Sequence, residues 1–276
     1  MISVLILTKN EQQDLPGCLA SVSWSDDLHV FDSFSTDGTI DVAHEVGAKV
    51  TQRVFDGYAS QRNAGLHELN FKYPWVLILD ADERIPVLLK DEIAQFVAEM
   101  PLSVVAGRIR RRDYFFGTWL KHAQISPFYV RLVRPNKVHY EREVNEVLVA
   151  NGDIADLHQP FDHFPFSKGI EHWVRKHNVY STMEAKFIVE TGGGKFSVRK
   201  AFFATDFNER RVHQKALFYR LPFRPLIKWL YMMFVRGAVL DGKAGITYSF
   251  LQAMYEYMIV LKTAELVQQG ADNARK

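Results

Sequence analysis

Three short polar segments hold the residue types that can do chemistry, and each follows an apolar run. Thr8-Lys9-Asn10-Glu11 follows residues 2–7, the stretch from Asp32 to Thr39 follows residues 28–31, and Asp80-Ala81-Asp82-Glu83 follows residues 75–79. Two carboxylates spaced as Asp80 and Asp82 at a strand end can put one oxygen donor on a divalent cation while the other holds a neighbouring hydroxyl. Hard oxygen donors of this kind suit magnesium or manganese. Asp32, at its own strand terminus, can accept a ring N–H from a pyrimidine base. Asp37 to Thr39 reads as a turn whose side-chain hydrogen bonds start the next helix. Taken alone, an Asp-x-Asp is more often just the polar end of a strand. Three such loops at three strand ends favour a ligand site.

The elements that must position these loops alternate along the first hundred residues. The pattern predicts strands at 2–8, 28–31, 49–54 and 75–79, with helices at 15–22, 39–45, 58–69 and 87–100. Asp14 is expected to cap the first helix, with Pro16 in its first turn. Units of this length imply a doubly wound parallel sheet, in which ligands sit outside the carboxyl ends of the strands. After Met100 the rhythm changes to strands at 104–111, 129–134 and 143–149 without intervening helices, as at a mixed sheet edge. From Ser167, expected to cap a long helix ending at Gly192 to Gly194, the chain reads as helical, with further helices at 198–218, 226–237 and 246–269. The expected boundary therefore falls at 165/166, between an α/β domain and a helical region.

Composition narrows the function. With 276 residues, 47% hydrophobic and 24% charged, the chain can bury a full α/β core, and disordered or fibrous classes are excluded. A single cysteine, Cys18, cannot close an internal disulfide, which suits a reducing compartment such as the cytoplasm. No basic segment precedes the first apolar run, and Lys9 and Glu11 end it, so it reads as a buried strand and not a signal peptide. No apolar stretch reaches bilayer-spanning length. Gly-x-Gly-x-x-Gly, the phosphate-binding Gly-Lys-Ser/Thr loop and His-Glu-x-x-His are all absent, which argues against dinucleotide hydride transfer and P-loop hydrolysis.

At its donor-side segments the sequence resembles the family 2 nucleotide-sugar glycosyltransferases, whose fold is the GT-A type: a Rossmann-like, mostly parallel sheet flanked by helices. The residues that carry the resemblance are Leu5 to Glu11, Asp32 to Thr39, Gln61-Arg62-Asn63-Ala64-Gly65 and Leu79 to Glu83, in the family's order. His163, Tyr180, Arg236-Gly237, Asp241-Gly242 and Gly245 are similar to bacterial lipopolysaccharide-core β-1,4-glucosyltransferases of that family. The resemblance implies that Thr8, Glu11 and Asp32 bind the uridine of a UDP-sugar and that Asp80 meets the ribose or diphosphate. It further implies that Arg62 faces the donor, that Asp82 holds Mn or Mg, and that His163 is a further metal ligand or diphosphate donor. Inverting transfer also needs a base for the acceptor hydroxyl. Glu146 is the expected base and Asp113 the reserve. Related enzymes commonly place His-Glu at this strand, whereas this chain has Asn145-Glu146.

Charge is unevenly spread. Residues 1–100 hold seven Lys/Arg against sixteen Asp/Glu, and residues 101–276 hold twenty-seven against sixteen. Between Lys195 and Arg236 stand ten Lys/Arg, interleaved with aromatic residues and opposed only by Asp206 and Glu209. Such a mixture suits an anionic membrane surface, while a stripe of Ile227, Leu230, Tyr231 and Phe234 also fits ordinary core packing. Nucleic acid ranks last, because no recognition motif accompanies the basic stretch. The expected protein is an inverting, metal-dependent enzyme moving glucose from a UDP-sugar to a lipid-linked or lipopolysaccharide-core acceptor. It would work peripherally on the cytoplasmic face of the inner membrane. The competing expectation is a non-catalytic module docking on anionic lipid or nucleic acid through its basic helices.

Overall fold

The computed structural model describes residues 1–141, 147–205 and 207–273. The described chain falls into two compact units. The first is built from residues up to Tyr114 together with Ser126–Ser167; the second combines Phe115–Ile125 with the chain from Lys168 on.

The first unit opens as the alternation predicts. β1 (Ser3–Thr8), α1 (Leu15–Ser21), β2 (Leu28–Asp32), α2 (Thr39–Glu45), β3 (Lys49–Gln52), α3 (Tyr58–His67) and β4 (Val76–Asp80) form βα units. The chain continues through β5 (Glu83–Arg84), α4 (Val87–Glu99), β6 (Val104–Phe115), β7 (Thr118–Trp119) and β8 (Phe128–Val133). It ends in β9 (Val138–Glu141), β10 (Val147–Ala150), β11 (Asp153–Asp156) and β12 (Phe161–His163). The main sheet runs β3-β2-β1-β4-β8-β6-β12-β5. Pairings among β3, β2, β1 and β4 are parallel, and β8 runs antiparallel to both β4 and β6. This is the mostly parallel α/β sheet flanked by helices that the sequence implied.

Strand alternation feeds two cores. Val4, Ile6, Leu77 and Leu79 turn to the face covered by α1 and α4, while Leu5, Phe31, Val76 and Ile78 turn to the other face with Ala59 and Ala64 of α3. Gly65 sits where a β-carbon would come within 3.1 Å of Leu5, so a small residue lets α3 lie close on β1.

Several local expectations are corrected. Residues 129–134 do not mark a sheet edge, because β8 is inserted between β4 and β6; β10 pairs instead with β9 in a separate ribbon. Neither expected cap works as one. α1 has no side-chain cap bond from Asp14, and the helix after Ser167 starts at Gly169 with Lys168 at its cap position. The Ser167 hydroxyl donates instead to Asp14 Oδ2 at 2.8 Å, so two residues read as separate caps tie distant loops together.

The second unit is helical: α5 (Gly169–Thr191), α6 (Val198–Phe203), α7 (Phe207–Phe218), α8 (Arg224–Leu230) and α9 (Gly242–Asn273). Gly192 ends α5 in the left-handed conformation, as its position predicts. The helix expected over 198–218 is broken after Phe203, where Ala204 turns extended. α8 passes into a π turn over Tyr231–Val235. Asp241 clasps the Phe115–Ile125 segment: its carboxylate accepts the backbone N–H of His122 at 2.9 Å and of Ala123 at 2.7 Å, and pairs with the His122 ring at 2.6 Å. Among the described residues no helix is long and apolar enough to cross a membrane.

Candidate active site

The strand order reverses at β1, which has β2 on one side and β4 on the other, and the carboxyl ends of these three strands carry Thr8, Asp32 and Asp80. Register aligns them, with Thr8 opposite Asp32 and Leu7 opposite Asp80. Such a switch point opens the crevice in which open α/β sheets bind ligands.

The first two loops form one stitched surface. Thr8 Oγ1 donates to Asp32 Oδ1 at 2.8 Å, Asn10 Oδ1 accepts Thr36 N–H at 2.8 Å, and Thr39 Oγ1 accepts Glu11 N–H at 2.8 Å. Lys9 donates to the carbonyls of Ser33 and Phe34. Asn10 and Phe34 hold left-handed backbones at φ +55° and +56°, a conformation short polar residues tolerate better than phenylalanine does. Asp37 accepts Thr39 N–H at 3.1 Å, the turn read from sequence. Asp32 is fully buried, and its oxygens accept from Thr8, from the Ser35 backbone and hydroxyl, and from Gln52 at 3.1 Å. Burial alone would raise its pKa; the Ser35, Gln52 and Thr8 donors outweigh it and hold the carboxyl below its ordinary value. Glu11 lies half-buried where this loop leads into α1.

The Gln61-to-Gly65 run explains itself in the same way. Gln61 donates to the Ser33 hydroxyl at 3.1 Å, and Asn63 exchanges two hydrogen bonds with the backbone of Tyr140 at 2.7 and 2.8 Å. Arg62 reaches Asp80 Oδ1 at 3.3 Å and lies over the Tyr140 ring.

Around β4 the charges are dense. Arg131, buried in β8, donates to Asp80 Oδ2 at 2.9 Å and to Glu83 Oε1. Glu83 also accepts Asp80 N–H at 3.0 Å, closing the Asp80-to-Glu83 turn on itself. Burial would raise the Asp80 carboxyl, yet Arg131 and Arg62 hold it far below the usual carboxylate range. Glu83, almost wholly buried, is pushed up to about 7 by burial, with Arg131 opposing.

Asp82 faces His163: the pair lies 3.2 Å apart, Oδ2 to Nε2. Three-residue β12 sets this contact, since its register puts His163 opposite Glu83 on one side and Asp113 on the other, and Phe164 N–H binds the Asp82 carbonyl at 2.9 Å. His163 Nδ1 pairs with Asp113 Oδ1 at 2.5 Å, and Arg111 Nε sits 2.9 Å from the same oxygen. Burial would lower the His163 pKa, but Asp113 and Asp82 on its two ring nitrogens raise it to about 9. Asp113 is buried against Arg111 and His163, an arrangement suited to orienting the imidazole.

Among the described residues no three His, Cys, Asp or Glu side chains group as a complete metal site. Asp82 and His163 nevertheless fit as a pair of neighbouring ligands. Two donors about 2.1 Å from an octahedral cation lie about 3 Å apart, and magnesium-type sites take few protein ligands, the rest being water and substrate phosphate. Ligation would require His163 to shed the proton it now shares with Asp82.

Thr8, Asp32, Arg62, Asp80, Asp82, Asp113 and His163 thus lie in one unit, connected through strand ends and short polar contacts. Glu146 lies outside the described residues. Arg131 and Glu83 have no assigned role in the sequence reading, although an arginine inside the apolar strand Tyr-Val-Arg-Leu-Val signals a buried countercharge.

The chain belongs to glycosyl transferase family 2, whose family model matches residues 3–156, and it is a glycosyltransferase. Over 99% of its length it is 27% identical to the lipopolysaccharide core biosynthesis glycosyltransferase LpsC of Rhizobium meliloti, covering 94% of that protein. An uncharacterized glycosyltransferase of Rickettsia conorii is 30% identical over 69% of this chain and 71% of its own. Among solved structures, Staphylococcus aureus TarS 1-349 in complex with UDP-GlcNAc is similar at a TM-score of 0.44 and 14% identity, over 92% of this chain and 90% of that one. Glucosyl-3-phosphoglycerate synthase from Mycobacterium tuberculosis with Mn2+, UDP-glucose and phosphoglyceric acid matches at a TM-score of 0.34 and 23% identity, over 40% and 43%.

Proposed function

We propose that this glycosyltransferase moves glucose, with inversion, from UDP-glucose to a lipid-linked or lipopolysaccharide-core acceptor at the cytoplasmic face of an anionic membrane. The observation that carries the donor reading is the convergence of Thr8, Asp32 and Asp80 on one switch point, beside the Asp82–His163 pair. The acceptor class is supported by the likeness to LpsC over nearly the whole chain.

In this reading the uracil ring N–H takes the place of one internal donor on Asp32, with Thr8 and Glu11 lining the base. Arg62 and Arg131 hold the Asp80 carboxylate in a fixed orientation toward the ribose or diphosphate. Asp82 and His163 would hold Mn or Mg, with Asp113 positioning the imidazole. A divalent cation there would neutralise charge on the departing UDP. Glu146 accepts the proton of the acceptor hydroxyl as its oxygen bonds to the anomeric carbon and the bond to the UDP oxygen breaks. The electron pair of that bond leaves with UDP.

The test is thermal unfolding with UDP, GDP and their glucose conjugates, each with and without Mn2+, followed by transfer assays on lipopolysaccharide-core fragments. Ligand binding to the folded state raises the midpoint. A manganese-dependent rise with UDP that Asp82→Ala removes, in a variant that unfolds normally without ligand and transfers no glucose, is the expected result. Full transfer by Asp82→Ala sinks the metal assignment.

A further inference from the structure

The run from Phe223 through Val235 is turned inside out for a helix in water. Leu226 and Leu230 stand one turn apart on α8, between Phe223 at the cap position and Phe234 in the π turn, an apolar stripe of sequence in which these four are 54%, 41%, 79% and 68% exposed. The cation on the inner side goes the other way: Arg224 is buried, 3.3 Å from the buried Glu256 of α9. Met232 and Met233 also turn inward. Val235 at the end of the π turn, and Val239 and Leu240 beyond it, are exposed apolar residues as well. Phe223, among the most exposed of these, adopts φ +51°, a left-handed backbone that a β-carbon makes costly and that Gly or Asn would hold more easily. Backbone strain that presents a phenyl ring to solvent points to a partner for that ring.

We propose that this stripe seats the protein on the anionic face of a lipid bilayer, the aromatic rings entering the headgroup region. Charge selects that occupant. Residues 195–236 carry ten Lys/Arg against two acids. Long cationic side chains beside an apolar stripe reach up to lipid phosphates while their stems cover hydrocarbon. A second copy of the same face would instead bring two cationic rims together. With no spanning helix among the described residues, the attachment lies on the surface. The proposal deepens the membrane part of the function above and rests on it for location; the donor chemistry is separate.

The experiment is co-sedimentation of the full chain with vesicles of phosphatidylcholine alone and of phosphatidylcholine containing phosphatidylglycerol, at low and high salt. UDP-induced thermal shift is read in parallel. Expected is binding to the anionic vesicles only, weakened by salt. Phe223→Gly and Phe234→Ser should each weaken it about tenfold or more, since each removes one large buried ring. Phe223→Gly is the decisive variant, because glycine relieves the left-handed strain and should fold at least as well while losing binding. Equal binding to both vesicle types, or full binding by Phe223→Gly, overturns the proposal. So does dimerisation in solution that Phe223→Gly abolishes, which would make a second copy the occupant. Absence of vesicle binding with a normal UDP shift overturns only this inference; retained vesicle binding with no UDP shift overturns only the donor reading.

Discussion

Replacing Arg131 by methionine tests how the charges behind the candidate site are held. Arg131 lies buried between Asp80 Oδ2 at 2.9 Å and Glu83 Oε1, and Glu83 is almost wholly buried. Removing one partner of a buried pair typically costs about 3–5 kcal/mol, because the other charge stays desolvated. Here the lower figure applies, since burial already pushes Glu83 up to about 7 and the abandoned carboxyl can take up a proton. A loss of about 3 kcal/mol corresponds to a midpoint drop of about 6–12 °C in a chain of this size. A carboxyl whose folded pKa is raised above its unfolded value destabilises the fold increasingly as pH rises through the folded pKa. The deficit of Arg131→Met should therefore be larger at about pH 8 than at about pH 5. Adding Glu83→Gln should restore half of it or more, because the amide needs no countercharge. Thermal unfolding of wild type, single and double variants at the two pH values, followed by circular dichroism, measures all three. A deficit below about 1 kcal/mol, equal at both pH values and unrelieved by Glu83→Gln, would refute the buried-charge account.

Three further outcomes follow from other positions. Asp27 is buried and accepts from Ser3 Oγ at 2.5 Å, Lys49 Nζ at 2.7 Å, Lys72 N–H at 2.8 Å and His29 Nε2 at 3.0 Å. Burial opposes ionisation there, yet those partners hold the pKa far down. Its stabilisation is present above the unfolded value near 3.9 and is lost as pH falls below about 4. Asp27→Asn should cost about 2–3 kcal/mol at neutral pH and flatten the acid limb of a stability–pH curve by urea unfolding. Gly245→Ala should cost about 2 kcal/mol or more, because its β-carbon would stand 2.1 Å from the Ala238 carbonyl oxygen and 2.7 Å from Asp241 Cβ. Gly270→Ala, late in the same helix with open space around it, should be neutral or slightly stabilising in the same melting assay.

The parallel half of the fold was legible because its strands are buried on both faces and so read as unbroken apolar runs, with helices of ordinary length between them. α2 matches its expected span at 39–45, and the strand ends fall within a residue or two of those read from the sequence. The acidic loops were legible for the same reason, since polar residues that interrupt such runs mark the carboxyl edge. What escaped was non-local. β12 is three residues long and its sequence, Phe-Asp-His, has no periodicity, yet its pairing with β5 and β6 fixes the Asp82–His163–Asp113 chain. Asp14 and Ser167 carry cap-type side chains, and nothing in their neighbourhoods says that each is satisfied by the other. The spacing after Pro225 puts Ile227, Leu230, Tyr231 and Phe234 on one stripe without saying which way it faces; Leu230, Tyr231 and Phe234 are exposed and Ile227 half-buried. Burial of Arg224 on Glu256, thirty-two residues away, decides that.

The same contacts bear on how the candidate site could keep its acids ready for the proposed polyanionic donor. In the proposed reading a nucleoside diphosphate would bring negative charge to a place where Asp32, Asp80 and Asp82 already stand, so those carboxylates would have to stay ionised without repelling it. Each is met in its own way. Asp32 keeps its charge and is stabilised by neutral donors, which in that reading would leave it an acceptor for a base. Asp80 is countered by two arginines from separate elements, so the pair of cations can attract phosphate while fixing the carboxylate. Asp82 is matched by an imidazole that can lose its proton, the one arrangement of the three in which a divalent cation can take over the countercharge. In the proposed reading, loss of the manganese dependence of the UDP thermal shift should accordingly be confined to Asp82 and His163 variants, whereas Asp80 or Arg62 variants should weaken the shift and keep that dependence.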